Sequence, residues 1–165
     1  MSKFYAGVGS RETPEDVRNV MAHIARKLAA KGYTLRSGGA DGADTAFESG
    51  ATEKEIFLPW RGFNGNQSPL FDYSANEREL FAIARQHHPA WSRLEPAARR
   101  LHARNVCQVL GANADSPVEF VVCWTPKGAG GGGTGQAIRL AQAHNIPVYD
   151  LGAFTAVYVM RRIGL

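Results

Sequence analysis

The chain has 165 residues, 44% hydrophobic and 21% charged, and its 19 Lys and Arg against 15 Asp and Glu give a net charge of +4. Those values fit one folded domain with a real core and exclude a highly charged, disordered chain. No apolar run is long enough to span a bilayer and the opening Met-Ser-Lys-Phe-Tyr has no signal-peptide core, so a cytoplasmic protein without membrane contact is expected. The small positive charge favours an anionic partner only mildly. Cys107 and Cys123 stand alone, with no C-x-x-C, which indicates neither a disulfide framework nor a zinc knuckle.

Taken in order, Lys3 to Gly9 is apolar and aromatic enough for a strand buried on both faces. Thr13-Pro14-Glu15-Asp16 then predicts a helix start, with Thr13 as N-cap and Pro14 at the first position. Val17, Val20, Met21, Ile24 and Leu28 keep helical spacing up to Gly32. Gly7 and Gly9 match two positions of the dinucleotide fingerprint, but Glu12 stands where its third glycine belongs. Tyr33 to Arg36 predicts a second strand, running into Ser37-Gly38-Gly39-Ala40-Asp41-Gly42-Ala43-Asp44 and a helix to about Ala51. Asp41 and Asp44 fall in or beside that helix's first turn, where they either help the helix dipole or serve a ribose hydroxyl or cation.

Glu55 to Leu58 is the third predicted strand, and Arg61 to Ser74 a long loop of aromatics and amides suited to one wall of a site. Helices follow at Glu77 to Gln86 and Pro96 to Gly111. The His87-His88-Pro89 stop reads as a solvated helix end, and no second cluster of ligands points to a metal. Arg99, Arg100, His102 and Arg104 make the later helix the most basic part of the chain, a solvated face or an anion site. Within it, Asn105 lies between Leu101 and Val109 on the apolar stripe, so its amide needs a partner in a loop or a ligand.

Glu119 to Trp124 is an apolar run for a fourth strand, followed by Gly128 to Gly135, where six of eight residues are glycine. A helix from about Thr134 to Asn145 comes next, with Ala137, Leu140, Ala141 and His144 on one face. Ile146 to Leu151 is the fifth strand, and Phe154 to Ile163 a last short helix. Strand, glycine loop and helix N-terminus together make a phosphate cradle, although such a loop also spells flexibility. Five short apolar strands alternating with helices predict an α/β fold over residues 1–165. The expected fold is a single-domain, Rossmann-like, mainly parallel sheet of at least five strands, with helices on both faces. Most of the 18 glycines then lie in three loops at the carboxyl edge of that sheet, the usual ligand edge of such folds.

The Ser37 to Asp44 stretch resembles the S-G-G-A-x-G-x-D motif of the SLOG superfamily, which includes DprA (Smf) DNA-processing proteins, YpsA-like proteins, LOG phosphoribohydrolases and molybdenum-cofactor carriers. Gly9-Ser10-Arg11 resembles the G-S-R opening of the YpsA-like branch, Gly132-Gly133-Thr134-Gly135 the shared G-G-x-G loop, and Arg104-Asn105 the R-N pair of the DprA branch. The resemblance implies a pocket for a nucleotide-like ligand of the AMP or ADP-ribose type. Gly132 to Gln136 would take phosphate, and the Ser37, Gly38 and Gly39 turn would frame it. Arg11 or Arg104 would pair with the phosphate, Asp41 or Asp44 would hold ribose, and Trp60 or Trp124 would stack on a base, unless each tryptophan is simply core. It also implies self-association into a dimer or larger oligomer, and no cofactor beyond a bound nucleotide or phosphate.

LOG enzymes carry a catalytic glutamate where this chain has Arg139, and an arginine cannot act as a general base. Hydrolysis of a nucleotide N-glycosidic bond would therefore need Asp41, Asp44 or Glu48 instead. A DprA-like role would bind single-stranded DNA through a basic surface of Arg99, Arg100 and Arg104.

Overall fold

The structure, a computed structural model, describes residues 2–165. Among them, five parallel strands form one sheet: β1 (Lys3–Gly7), β2 (Tyr33–Ser37), β3 (Lys54–Ile56), β4 (Val121–Cys123) and β5 (Val148–Asp150), in the order β3-β2-β1-β4-β5. Six helices connect and cover them: α1 (Glu15–Ala30), α2 (Ala43–Gly50), α3 (Glu77–Gln86), α4 (Pro96–Leu110), α5 (Gly132–Ala143) and α6 (Ala156–Arg162). This is the expected Rossmann-like α/β architecture.

Both faces of the sheet are buried, and side chains alternate between two cores as strand geometry requires. Tyr5 and Val122 pack with Met21, Ile24, Leu28, Phe47 and Val159 beneath α1, α2 and α6. Ala6, Val121 and Cys123 face the opposite way and pack with Leu80, Val106, Val109 and Leu140 beneath α3, α4 and α5. Strands buried on both sides carry near-continuous apolar runs, which is why they were visible in the sequence.

The chain winds outward from β1 to β3, then returns to place β4 on the other side of β1. The topological switch point therefore lies between β1 and β4, and the loops leaving those strands separate to open a crevice. Val8 N–H still donates to Val122 O at 3.1 Å and Ser10 N–H to Trp124 O at 3.3 Å, so the two loops diverge only beyond Ser10.

Several local expectations are corrected. Thr13 does not cap α1: its hydroxyl donates to Ser10 O at 2.6 Å, and Pro14 occupies the N-cap position with no side-chain cap. α5 begins inside the glycine run, at Gly132 rather than Thr134. His144 is an exposed residue at the C-cap of α5, not part of its buried face of Ala137, Leu140 and Ala141. The Arg61 to Ser74 loop folds back so that Leu70 pairs beside Phe57 and accepts from Leu58 N–H at 2.8 Å.

Candidate functional site: a cleft at the switch point

A cavity of about 610 Å³ opens in this crevice. One wall is the β1 loop, Val8 to Glu12, with Ala40 and Asp44 beside it. The opposite wall is the β4 loop and the start of α5: Pro126, Ala129, Gly131, Gly132, Gly133, Thr134 and Ala137. Helix α4 closes the side with Ala98, Leu101, His102, Arg104, Asn105 and Gln108.

The glycine wall presents donors. Helix α5 has no side-chain N-cap, and the N–H groups of Gly131, Gly132, Gly133 and Thr134 find no acceptor among the described residues. Thr125 shapes the approach by accepting from Gly130 N–H at 2.9 Å through its hydroxyl, which itself donates to Asp150. A row of unpaired amides at the positive end of a 12-residue helix is an anion-binding arrangement. The left-handed backbone of Gly130 (φ 68°) and Gly132 (φ 67°) explains why only glycine builds this run at low cost.

The α4 wall is a hydrogen-bonded network. Arg104 is buried, and its guanidinium donates to Gly38 O and, at 3.0 Å, to Asn105 Oδ1. Asn105 Nδ2 donates to Gln136 Oε1 at 3.3 Å, and Gln136 Nε2 to Ala84 O at 3.2 Å. Gln136 Oε1 also meets His102 Nδ1 at 2.6 Å, which assigns the proton to Nδ1 and leaves Nε2 as the ring's free nitrogen. The partner that Asn105 required is thus the first turn of α5. Arg104 spends two of its five donors within the protein, on Gly38 O and Asn105 Oδ1.

Burial and charge set the protonation states. Desolvation pushes the Asp44 carboxyl up to about 6, against the pull of Arg104 and the Ala40 N–H that donates to it at 3.2 Å. Desolvation also lowers the affinity of His102 for a proton, opposed by its hydrogen bond with Gln136 and helped by His88, Arg104 and Arg139. Burial lowers the Arg104 pKa, and nearby Arg11 adds to this while Asp44 opposes it. The cleft is thus lined by two guanidiniums, of Arg11 and Arg104, and two carboxyl groups, of Glu12 and Asp44.

A pH prediction follows. Because the folded carboxyl titrates near 6 and the unfolded one near 3.8, folding favours protonated Asp44. Its contribution is fully present below the unfolded value and is lost as pH rises through 6. Asp44→Asn should therefore gain stability relative to wild type by about 2 kcal/mol between pH 4 and pH 7, with little further change above. Urea denaturation of both proteins at pH 4, 5, 6 and 7 checks this; a constant difference across the series would contradict it.

The cleft collects Gly9, Ser10, Arg11, Asp44, Arg104, Asn105, Gly132, Gly133 and Thr134 from the expected residues. It does not collect the rest. Ser37 is fully buried and donates to Gly7 O at 2.6 Å, while Gly38 gives its carbonyl to Arg104. Gly39 lies against Leu58, and exposed Asp41 accepts from Asn64 Nδ2 at 3.0 Å. Glu48 is spent on Lys54 and Asn66, each at 3.0 Å. Trp124 packs into the α1–α2 core and Trp60 lines a different cavity. Gly135 is wedged against Gly130 O, and Gln136 acts through Asn105 and His102. Asp44 is thus the one acidic candidate that reaches the cleft. Gln108 was missed, although Leu101, Asn105 and Gln108 fall at i, i+4, i+7 and share one helix stripe.

Residues 1–57, from β1 through β3, match the family model of DNA recombination-mediator protein A. Among solved structures, DNA processing protein A from Helicobacter pylori, described by its single-stranded DNA binding mode, shares the fold with a TM-score of 0.58 at 19% identity, over 98% of this chain and 73% of that one. The structure of TM1055 matches with a TM-score of 0.46 at 21% identity, over 90% of this chain and 72% of that one. No curated protein matches significantly in sequence. The likeness to DNA processing protein A extends the shared Rossmann-like fold over nearly the whole chain, while the family model matches its first 57 residues. Among the described residues no helix is long and apolar enough to cross a membrane, and no group of three or more His, Cys, Asp or Glu is placed to hold a metal.

Proposed function

We propose that the protein binds single-stranded DNA, with a backbone phosphate seated in the switch-point cleft. The observation that carries this is the pairing, across one half-open cavity, of the unpaired Gly131 to Thr134 amides with the Arg11 and Arg104 guanidiniums. Amides grip the phosphate oxygens without regard to sequence, and a guanidinium forks onto them. The family match and the fold shared with a single-strand-binding protein support DNA as the source of that phosphate.

A second reading is a free AMP- or ADP-ribose-type nucleotide, favoured by a cavity of about 610 Å³, a volume typical of small-molecule sites. Of the acids considered for cleaving an N-glycosidic bond, Asp41, Asp44 and Glu48, Asp44 is the one that lines the cleft.

Fluorescence anisotropy with oligothymidylate at rising salt tests the two. Strand binding should weaken with salt at a log–log slope of about −1.5 to −3, as two to four phosphate contacts require. Salt-insensitive binding of AMP or ADP-ribose, with no strand binding, would replace the first reading by the second. Product analysis of that mixture would then show whether the nucleotide is cleaved. Binding of neither would sink both.

A further inference from the structure

A second cavity of about 440 Å³ lies beyond the α4 wall, lined by Trp60, Arg61, Phe71, Tyr73, Phe81 and Arg100. Its chemistry differs from that of the cleft: aromatic faces with guanidiniums beside them. Trp60 is 37% exposed, unusual for so large an apolar ring, and it is held edge-on to Phe63 with centroids 5.4 Å apart. The Arg61 guanidinium lies 5.3 Å from the centroid of Phe71. The Tyr73 hydroxyl is spent on Leu58 O at 2.5 Å, so that residue offers its ring rather than its polar end. Two acids, Asp72 and Glu77, also line it, and Asp72 accepts from Ser74 N–H at 3.0 Å, which lowers its pKa.

One helix, α4, lines both cavities. Helix α4 places Arg100 on the aromatic cavity and Leu101, His102 and Arg104 on the cleft. Arg104 also stands 5.7 Å over the Phe63 ring that supports Trp60. The loop carrying Trp60 and Phe71 is tied down before any ligand arrives. Asn64 donates to Gly39 O and Asn66 to Glu48 Oε1, each at 3.0 Å, and Ser68 donates to Ile56 O at 2.6 Å. Such anchoring spares the ordering entropy that a mobile loop would lose on binding.

We infer that this cavity is a nucleobase subsite, which takes an unstacked base from the same single strand whose phosphate sits in the cleft. Arg100 receives the phosphate between the two. Aromatic rings stack on any base because every base has a π-face, and a flanking guanidinium meets the backbone charge. Four of the ten lining residues, Trp60, Phe71, Tyr73 and Phe81, are aromatic, and Arg61 and Arg100 flank them.

This inference rests on the single-strand reading, and the test separates the two failures. Oligothymidylates of two and six nucleotides, and hexamers with one abasic position, are titrated against wild type, Trp60→Ala, Trp60→Tyr and Arg100→Ala. The hexamer should bind wild type more tightly than the dimer. Trp60→Ala should cost the hexamer about tenfold and leave the dimer unchanged, as loss of one stacked base predicts. One abasic position should weaken wild type and not Trp60→Ala, and Trp60→Tyr should recover most of the loss. If wild type binds the hexamer with the expected salt slope while Trp60→Ala and Arg100→Ala match it, the subsite is wrong and the cleft stands. If wild type binds no strand, both fall.

Discussion

Arg104→Ala should cost the fold about 2–4 kcal/mol and abolish strand binding, the largest effect expected from any side chain of the cleft. The side chain is 6% exposed, so its guanidinium does not wait in solvent for a ligand. It holds the Gly38 carbonyl and the Asn105 amide, and removing it leaves a buried acceptor unsatisfied and a buried amide free to turn. Asp44 would lose the cation that restrains its pKa and would take up a proton at still higher pH. In a 165-residue chain such a loss lowers Tm by about 10 °C. Arg104→Lys keeps the charge but not the fork, so it should recover part of the binding and little of the network. Thermal denaturation with anisotropy titration of all three proteins checks this. Full stability in Arg104→Ala would show that the network adds nothing to the fold. Unchanged binding would remove Arg104 from the site.

The fold was largely legible because buried parallel strands and amphipathic helices write their periods into the sequence. Tyr5, Leu35 and Val122 stand in apolar runs, and Met21, Ile24, Ala25 and Leu28 in a helical stripe. The glycine loops were legible too, since Gly9, Gly39, Gly42 and Gly132 adopt positive φ. What could not be read was which loops meet. Strand order is a tertiary choice, and only the placement of β4 beside β1 brings the Gly9 and Gly132 turns to one crevice. Nor does spacing reveal which polar groups are already spent. Ser37 and Gly38 look like a ligand turn, yet one hydroxyl and one carbonyl are consumed within the chain. The basic run on α4 divides for the same reason. Arg100 is exposed and Arg99 packs over Trp91, whereas Arg104 falls in the half of the helix enclosed by the sheet, α3 and α5.

The glycines of the Ser37 to Asp44 motif act chiefly as packing devices, and Gly42→Ala should show it with a loss of about 3–5 kcal/mol, well above the cost of a positive φ alone. Gly42 has φ 82° and ψ −118°, a combination that side-chain-bearing residues rarely adopt. A Cβ there would lie 2.6 Å from Ser10 O, 2.7 Å from Arg11 O and 2.8 Å from Arg11 Cα. All three are backbone atoms, so the clash cannot be relieved by rotating a side chain. The β1 loop would have to lift off α2, breaking the 3.3 Å bond from Ala43 N–H to Ser10 O and shifting Arg11 away from the glycine wall. Gly62 supplies the control: its φ is also positive, at 71°, but a Cβ there meets nothing within 4 Å. Gly62→Ala should therefore cost only the strain, about 1 kcal/mol, and leave strand binding intact. Urea denaturation and anisotropy on both variants measure the contrast. Equal costs would mean that the loops have room to separate. A Gly42→Ala protein of wild-type stability that had lost binding would make Gly42 a ligand contact, and the motif a recognition element rather than the clasp between β1 and α2.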